Sequence, residues 1–122
     1  MSDAQRQVLV VEDEPLVLES TVDLLVEAGF GVVRASTCDE AMAALKGGFK
    51  PSVMVTDISL AAGGDGIELA RCVSELWPDI NIVLVSGAQR PKRDDYPEGA
   101  LFFTKPYAPG ALVAVCSDAA LA

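Results

Sequence analysis

The stretch that most constrains the fold is a short apolar run at residues 53–57, with the sequence VMVTD. A run this short and this rich in β-branched residues is typical of a strand buried on both faces of a parallel sheet, and it is too short for an ordinary helix. The run ends on Asp57. Ligands of open α/β sheets bind at the carboxyl ends of the strands, so Asp57 is the first candidate for chemistry, although Asp is also common in ordinary turns.

Other short apolar runs occur along the chain, and helix signals separate most of them. The other runs lie at residues 8–11, 31–35, 80–86 and 101–104. The helix signals are a proline at a first helical position or a capping residue followed three places later by Glu. They stand at Pro15, Thr37, Asp65 and Pro109. This alternation predicts a β-α unit repeated about five times in a single domain spanning residues 1–122, with a parallel sheet covered by helices on both faces.

Two segments carry more detailed expectations. In the third helix, spacing predicts one buried face made of Ile67, Ala70, Val73, Leu76 and Trp77. The interval between Ser86 and Lys105 is short and contains Pro91 and Pro97. Prolines leave little room for a regular helix, so we expect the fourth helix of the pattern to be reduced to a turn.

Composition excludes several classes of function. The chain has 18 acidic and 9 basic residues, a net charge of −9, which argues against a nucleic-acid-binding surface. No apolar stretch approaches the roughly 20 residues of a membrane span, and the amino terminus is polar, so we expect a cytoplasmic protein without membrane contact. The three cysteines are far apart and histidine is absent. A disulfide framework, a common zinc site and a histidine-dependent triad are therefore unsupported.

Functional groups stand where four of the five predicted strands end. They are Glu12 with Asp13, then Asp57, Ser86 and Lys105. Because the carboxyl ends of parallel strands share one edge of the sheet, these groups should converge. Clustered carboxylates repel one another and call for a cation, and an oxygen-only cluster that keeps waters suits Mg²⁺. Each residue also has an ordinary explanation: the acids could complement a helix start, Ser86 could belong to a turn, and Lys105 could be a solvated charge.

The chain resembles the receiver domain of two-component response regulators, and the resemblance covers almost its whole length. Five motifs in order carry it: VLVVEDE at residues 8–14, Asp57 after its strand, DGIELA at 65–70, Ser86-Gly87, and KPY at 105–107. The resemblance implies a flavodoxin-like (βα)5 fold with strand order 2-1-3-4-5. It also implies a stand-alone, single-domain regulator with no output domain, which is not an enzyme beyond its own phosphorylation and dephosphorylation.

The same resemblance implies roles for particular residues. Asp57 would accept a phosphoryl group from a sensor histidine kinase or a histidine phosphotransfer protein. Glu12 and Asp13 would form the acidic pair, and Asp13, Asp57 and the main-chain carbonyl of Ser59 would hold Mg²⁺. An output would then pass to an unknown downstream protein or onward by phosphotransfer.

Three further positions are assigned by the resemblance. Ser86 would be the switch hydroxyl, Lys105 would contact the phosphoryl group, and Phe102 would be the switch aromatic, without the hydroxyl that Tyr often provides there. The loop after Asp57 departs from the family pattern at residues 60–64, which puts site access in question. The last helix, residues 109–120, carries one charge and could form a docking or homodimer face, or could simply propagate well because it is rich in alanine.

Other classes of protein share parts of this pattern. A pseudo-receiver would keep the fold as an interaction module without the chemistry. The complete set of site residues argues against this class. A phosphatase with an aspartyl nucleophile would want a second acid where Ser59 stands. A flavodoxin-type flavin carrier would want a hydroxyl- and glycine-rich first loop in place of residues 12–14.

Overall fold

The computed structural model describes residues 6–60, 64–87, 97–105 and 107–121. Its strands are β1 (Gln7–Val11), β2 (Gly31–Ala35), β3 (Val53–Asp57), β4 (Asn81–Ser86) and β5 (Leu101–Thr104). The helices in these ranges are α1 (Pro15–Glu27), α2 (Cys38–Lys46), α3 (Gly66–Leu76) and α4 (Pro109–Leu121). All strand pairs are parallel and the sheet order is β2-β1-β3-β4-β5. The predicted flavodoxin-like topology is confirmed.

The helices begin at the residues that the sequence signals indicate. Pro15 is the first residue of α1. Thr37 caps α2, because its hydroxyl oxygen accepts a hydrogen bond from the Glu40 N–H at 3.0 Å, and the Glu40 carboxylate accepts one from the Ser36 N–H at 2.7 Å. Asp65 caps α3, because its carboxylate oxygen Oδ1 accepts a hydrogen bond from the Ile67 N–H at 2.8 Å. These caps use backbone donors that the first turn of a helix leaves without partners.

The core has two halves because alternate residues of each strand face opposite sides of the sheet. On the side of α2 and α3 it includes Leu9, Met54, Leu84, Leu69 and Val73. On the side of α1 and α4 it includes Val8, Val55, Val83, Leu25 and Leu112. Most of these side chains are almost completely buried, and removing one such aliphatic side chain from water contributes about 2 kcal/mol. This apolar packing supports the polar edge of the sheet described below.

The expected face of α3 is partly wrong. Ala70 and Val73 are buried as expected, together with Gly66 and Leu69. Leu76 is 60% exposed, and Trp77 follows the end of the helix. Trp77 is nevertheless partly buried and packs against the core on the side of α2 and α3, and Ile67 is half-buried, so the prediction fails at Leu76.

Two other expectations concern the fourth predicted helix and the absence of a membrane span. The reduction of the fourth predicted helix to a turn concerns a segment that includes residues 88–96, which lie outside the described residues. Among the helices that the structure describes, none is both long and apolar enough to cross a membrane.

Candidate functional site

The polar groups predicted to converge lie along the carboxyl edge of the sheet. Glu12 directly follows β1, Asp57 and Ser86 end β3 and β4, and Lys105 directly follows β5. The strand register brings them to nearly the same height. Asp57 lies opposite Val85, and Ser86 lies opposite the residue before Lys105.

Lys105 joins two of the acids. Its ammonium nitrogen Nζ donates hydrogen bonds to Glu12 Oε1 and to Asp57 Oδ2, each at 3.0 Å. The two acceptor oxygens are therefore no farther apart than twice that distance. Lys105 is separated from these acids by 93 and 48 positions in the chain, so only the tertiary fold brings them together.

These three charges are largely withdrawn from solvent. The side chains of Glu12, Asp57 and Lys105 are 8%, 11% and 26% exposed. Burial raises the pKa of the Glu12 carboxyl above its usual 4.5, and the charge of Asp57 adds to this effect, while Lys105 and the Glu14 N–H oppose it. A nearby positive charge therefore stabilises the ionised form of such a carboxyl group.

The ammonium of Lys105 responds to the same surroundings. Burial lowers the pKa of Lys105, but its hydrogen bonds to Asp57 and Glu12 and their negative charges outweigh burial, so the pKa lies above the usual 10.5. Lys105 is accordingly a permanent cation between two carboxylates at neutral pH. The site holds a charge-assisted network in which one ammonium serves two acids.

The second oxygen of the Asp57 carboxylate is also fixed. Oδ1 accepts a hydrogen bond from the Ser59 N–H at 3.0 Å, while Oδ2 accepts the bond from Lys105. The Thr56 hydroxyl donates to the main-chain carbonyl of Asp57 at 3.0 Å. The carboxylate is thus oriented from two sides before any reaction partner arrives.

The remaining predicted residues lie around this network. Ser86 is 4% exposed, and its carbonyl oxygen accepts the Lys105 N–H at 2.8 Å, which ties the start of the Lys105 segment to β4. Asp13 is half-buried and Ser59 is exposed. Phe102 packs against the core on the side of α2 and α3.

The donor set bears on whether Mg²⁺ fits here. No group of three or more His, Cys, Asp or Glu side chains arranged to hold a metal ion occurs within the described ranges, so Asp13 does not complete a three-acid cage with Glu12 and Asp57. The carboxylates of Glu12 and Asp57 nevertheless converge on the ammonium of Lys105, and carboxylate oxygens are ligands that Mg²⁺ takes. Mg²⁺ is usually bound through one or two carboxylates and keeps several waters, so these residues fit that ion.

One residue at the site was not singled out from the sequence. Gly66, the first residue of α3, donates its N–H to the Ile58 carbonyl at 3.0 Å. A side chain there would collide with the main chain of Asp57 and Ile58. The available signal was a glycine directly after the capping residue Asp65, a place where a helix start does not itself require glycine.

Comparison with known proteins finds matches along most of the chain. The sequence model of the response regulator receiver domain matches residues 8–117. The phyllosphere-induced regulator PhyR of Methylorubrum extorquens is 31% identical over 121 residues, which are 97% of this chain and 45% of PhyR. The C4-dicarboxylate transport transcriptional regulatory protein DctD of Pseudomonas aeruginosa is 34% identical over 87 residues, 70% of this chain and 18% of DctD. The chain thus spans less than half the length of either curated relative.

A solved structure extends the similarity to the whole chain. The response regulator receiver protein from Sinorhizobium medicae has a TM-score of 0.91 and 28% identity, and the match covers 99% of this chain and 98% of that one.

Proposed function

Because the chain belongs to the response regulator receiver domain family, we propose that it is a phosphoacceptor of a two-component phosphorelay and that Asp57 receives the phosphoryl group. The observation that best supports this role is the Lys105 ammonium, held 3.0 Å from an oxygen of Asp57 and from an oxygen of Glu12. It supplies positive charge beside the reacting carboxylate. The phosphoryl donor would be a sensor histidine kinase or a histidine phosphotransfer protein.

The chain's own residues account for most of the chemistry. A carboxylate oxygen of Asp57 attacks phosphorus in line, the new O–P bond forms, and the P–N bond of the phosphohistidine donor breaks. Phosphoryl transfer depends mainly on positioning and on neutralisation of the phosphoryl oxygens. Ser59 holds Asp57 in place through its N–H, and Lys105 neutralises charge. The Ser86 hydroxyl would then donate a hydrogen bond to the acyl phosphate.

The same edge of the sheet is the proposed Mg²⁺ site. Asp13, Asp57 and the main-chain carbonyl of Ser59 would hold the ion, with Glu12 beside them as the other member of the acidic pair. When bound, it supplies further positive charge to the phosphoryl oxygens. Glu12 would contribute its negative charge, since a nearly buried carboxylate is stabilised by a nearby cation.

Output would follow from the charge that phosphorylation adds, about −1.5 to −2 at neutral pH. A movement of Ser86 toward the phosphoryl group would leave space that Phe102 could fill, and this would change the surface read by a downstream protein. A homodimer through α4 is a further proposal of the same kind. Beyond its own phosphorylation and dephosphorylation, the chain would catalyse no reaction.

Labelling with a small-molecule donor tests the proposal. The wild type incubated with acetyl phosphate and MgCl2 should gain the mass of one phosphoryl group, and hydroxylamine should remove it, as expected for an acyl phosphate. Asp57→Asn should gain nothing. Asp79→Asn is the matched control, because Asp79 is exposed and precedes β4 at the opposite edge of the sheet. Absence of label on all three proteins would contradict the proposal and favour the pseudo-receiver.

A further inference from the structure

We propose that Gly66 is a positioning residue for phosphoryl transfer to Asp57, because its lack of a side chain lets the start of α3 lie directly on the main chain that carries the phosphoacceptor. This inference rests on the proposed function. It adds a residue outside the charged network, one that touches no reacting atom.

The contact between Gly66 and the end of β3 involves backbone on both sides. Gly66 is buried, and its N–H donates to the Ile58 carbonyl at 3.0 Å. A Cβ atom built at Gly66 would lie 2.8 Å from Ile58 Cα and 2.9 Å from the Asp57 carbonyl carbon, and closer still to the Asp57 carbonyl oxygen. Main-chain atoms cannot move aside by changing rotamer. Any added side chain must therefore displace either α3 or the segment of Asp57 and Ile58.

The loop after Asp57 is joined to α3 at further points. Ser59 and Asp65 form an antiparallel bridge, and the Leu60 N–H donates to the Gly64 carbonyl at 3.2 Å. Asp65 in turn caps α3 through the Ile67 N–H. The start of α3 and residues 57–60 therefore behave as one hydrogen-bonded unit. A displacement at Gly66 would therefore move both the Asp57 carboxylate and the Ser59 N–H that is hydrogen-bonded to it.

Asp57 and Ser59 both have roles in the proposed chemistry. Asp57 Oδ1 accepts from the Ser59 N–H at 3.0 Å, and this bond sets the orientation of the attacking carboxylate. The Ser59 carbonyl belongs to the proposed Mg²⁺ ligands. Misplacing a reacting group by about 1 Å can lower a rate on the order of 100-fold. The packing of one glycine would thus set the positions of the nucleophile and of one proposed Mg²⁺ ligand together.

The chain contains two matched control positions. Gly110 is the second residue of α4, and a Cβ there has nothing within 4 Å, so Gly110→Ala makes the same chemical change in a first helical turn. Gly48 has φ +105 and nothing within 4 Å, between α2 and β3. Gly48→Ala should therefore destabilise the fold through backbone strain without touching the site.

The experiment compares Gly66→Ala with both controls and the wild type. Circular dichroism gives the folded fraction, acetyl phosphate labelling gives the rate per folded molecule, and the rise in melting temperature with MgCl2 gives the half-saturating Mg²⁺ concentration without any reaction. Gly66→Ala should label about 100-fold more slowly and need more Mg²⁺. Both controls should match the wild type in rate and in Mg²⁺ dependence. A purely structural role would lower only the folded fraction, and that result would overturn the inference.

A second pair of variants decides the question if Gly66→Ala does not fold. Asp65→Ala removes the cap that holds the start of α3, whereas Asp65→Asn removes the charge but keeps a capping side chain. The Ala variant should label severalfold more slowly than the Asn variant, and equal rates would overturn the inference. A wild type that takes no label contradicts the proposed function itself. A labelled wild type with an equally fast Gly66→Ala contradicts only the role of Gly66.

Discussion

Replacing Lys105 with Met should destabilise the protein, because it removes the cation shared by two nearly buried carboxylates. Met retains an apolar stem, so the change acts mainly on charge. Lys105 donates to Glu12 and to Asp57, and hydrogen bonds to charged groups contribute about 1.5–3 kcal/mol each. The ammonium side chain is 26% exposed, so solvent screens part of this. We expect a loss of about 2 kcal/mol and a fall in melting temperature of about 8 °C.

A double-mutant cycle isolates the contribution of the ion pair. The wild type, Lys105→Met, Glu12→Gln and the double variant should be unfolded with urea at neutral pH without added Mg²⁺. Once Glu12 is neutral, loss of the ammonium should cost less, and we expect a coupling free energy of about 1 kcal/mol. Lys50→Met is the control, since Lys50 is exposed between α2 and β3 and its replacement should change stability by less than about 0.5 kcal/mol. Additive effects of the two substitutions would refute the reasoning.

Two further substitutions test the electrostatics and the local structure. Glu12→Gln should remove a pH dependence of the free energy of unfolding. Because the pKa of Glu12 is raised in the folded state, its contribution to stability is present below pH 4.5 and is lost as the pH rises through the folded-state pKa. In urea unfolding from pH 4.5 to neutrality, the free energy of unfolding of the wild type should therefore fall relative to that of the variant, and parallel pH curves would contradict this. Thr37→Ala should cost about 1 kcal/mol by removing the 3.0 Å cap to the Glu40 N–H, whereas Thr37→Ser should retain most of it, and equal unfolding midpoints for the two variants would argue against the cap.

The sheet and the convergence of its charged residues could be predicted because both follow from local patterns. Short β-branched runs separated by helix signals leave few arrangements other than a parallel sheet. In such a sheet every strand ends at the same edge. The meeting of Lys105 with Asp57, across 48 positions, therefore required only the order of the elements and the residue at each strand end.

The details that were missed depend on distances between segments remote in sequence. Leu76 is 60% exposed although Val73 is buried and Trp77 packs against the core, because its exposure depends on how far neighbouring elements cover that side of α3. Gly66 was read as part of a helix start. Its close contact with Asp57 and Ile58 is set by the separation of α3 from β3, and no periodicity of apolar residues encodes that separation. That the ammonium of Lys105 bonds both Glu12 and Asp57 likewise depends on distances between side chains in the folded protein, which the sequence pattern does not give.

The site combines groups that oppose folding with surroundings that hold them in place. Ionisation of Glu12 is made unfavourable by burial and by the nearby charge of Asp57. Lys105 offsets this in part, and the two apolar halves of the core fix the strands whose ends carry all three residues. An acid pair with a single shared cation can still gain from further positive charge or from a partner for the ammonium. Under the proposed function, a phosphoryl group together with a divalent ion would supply both, and the unfavourable burial of charge in the free site would then favour binding of these reactants.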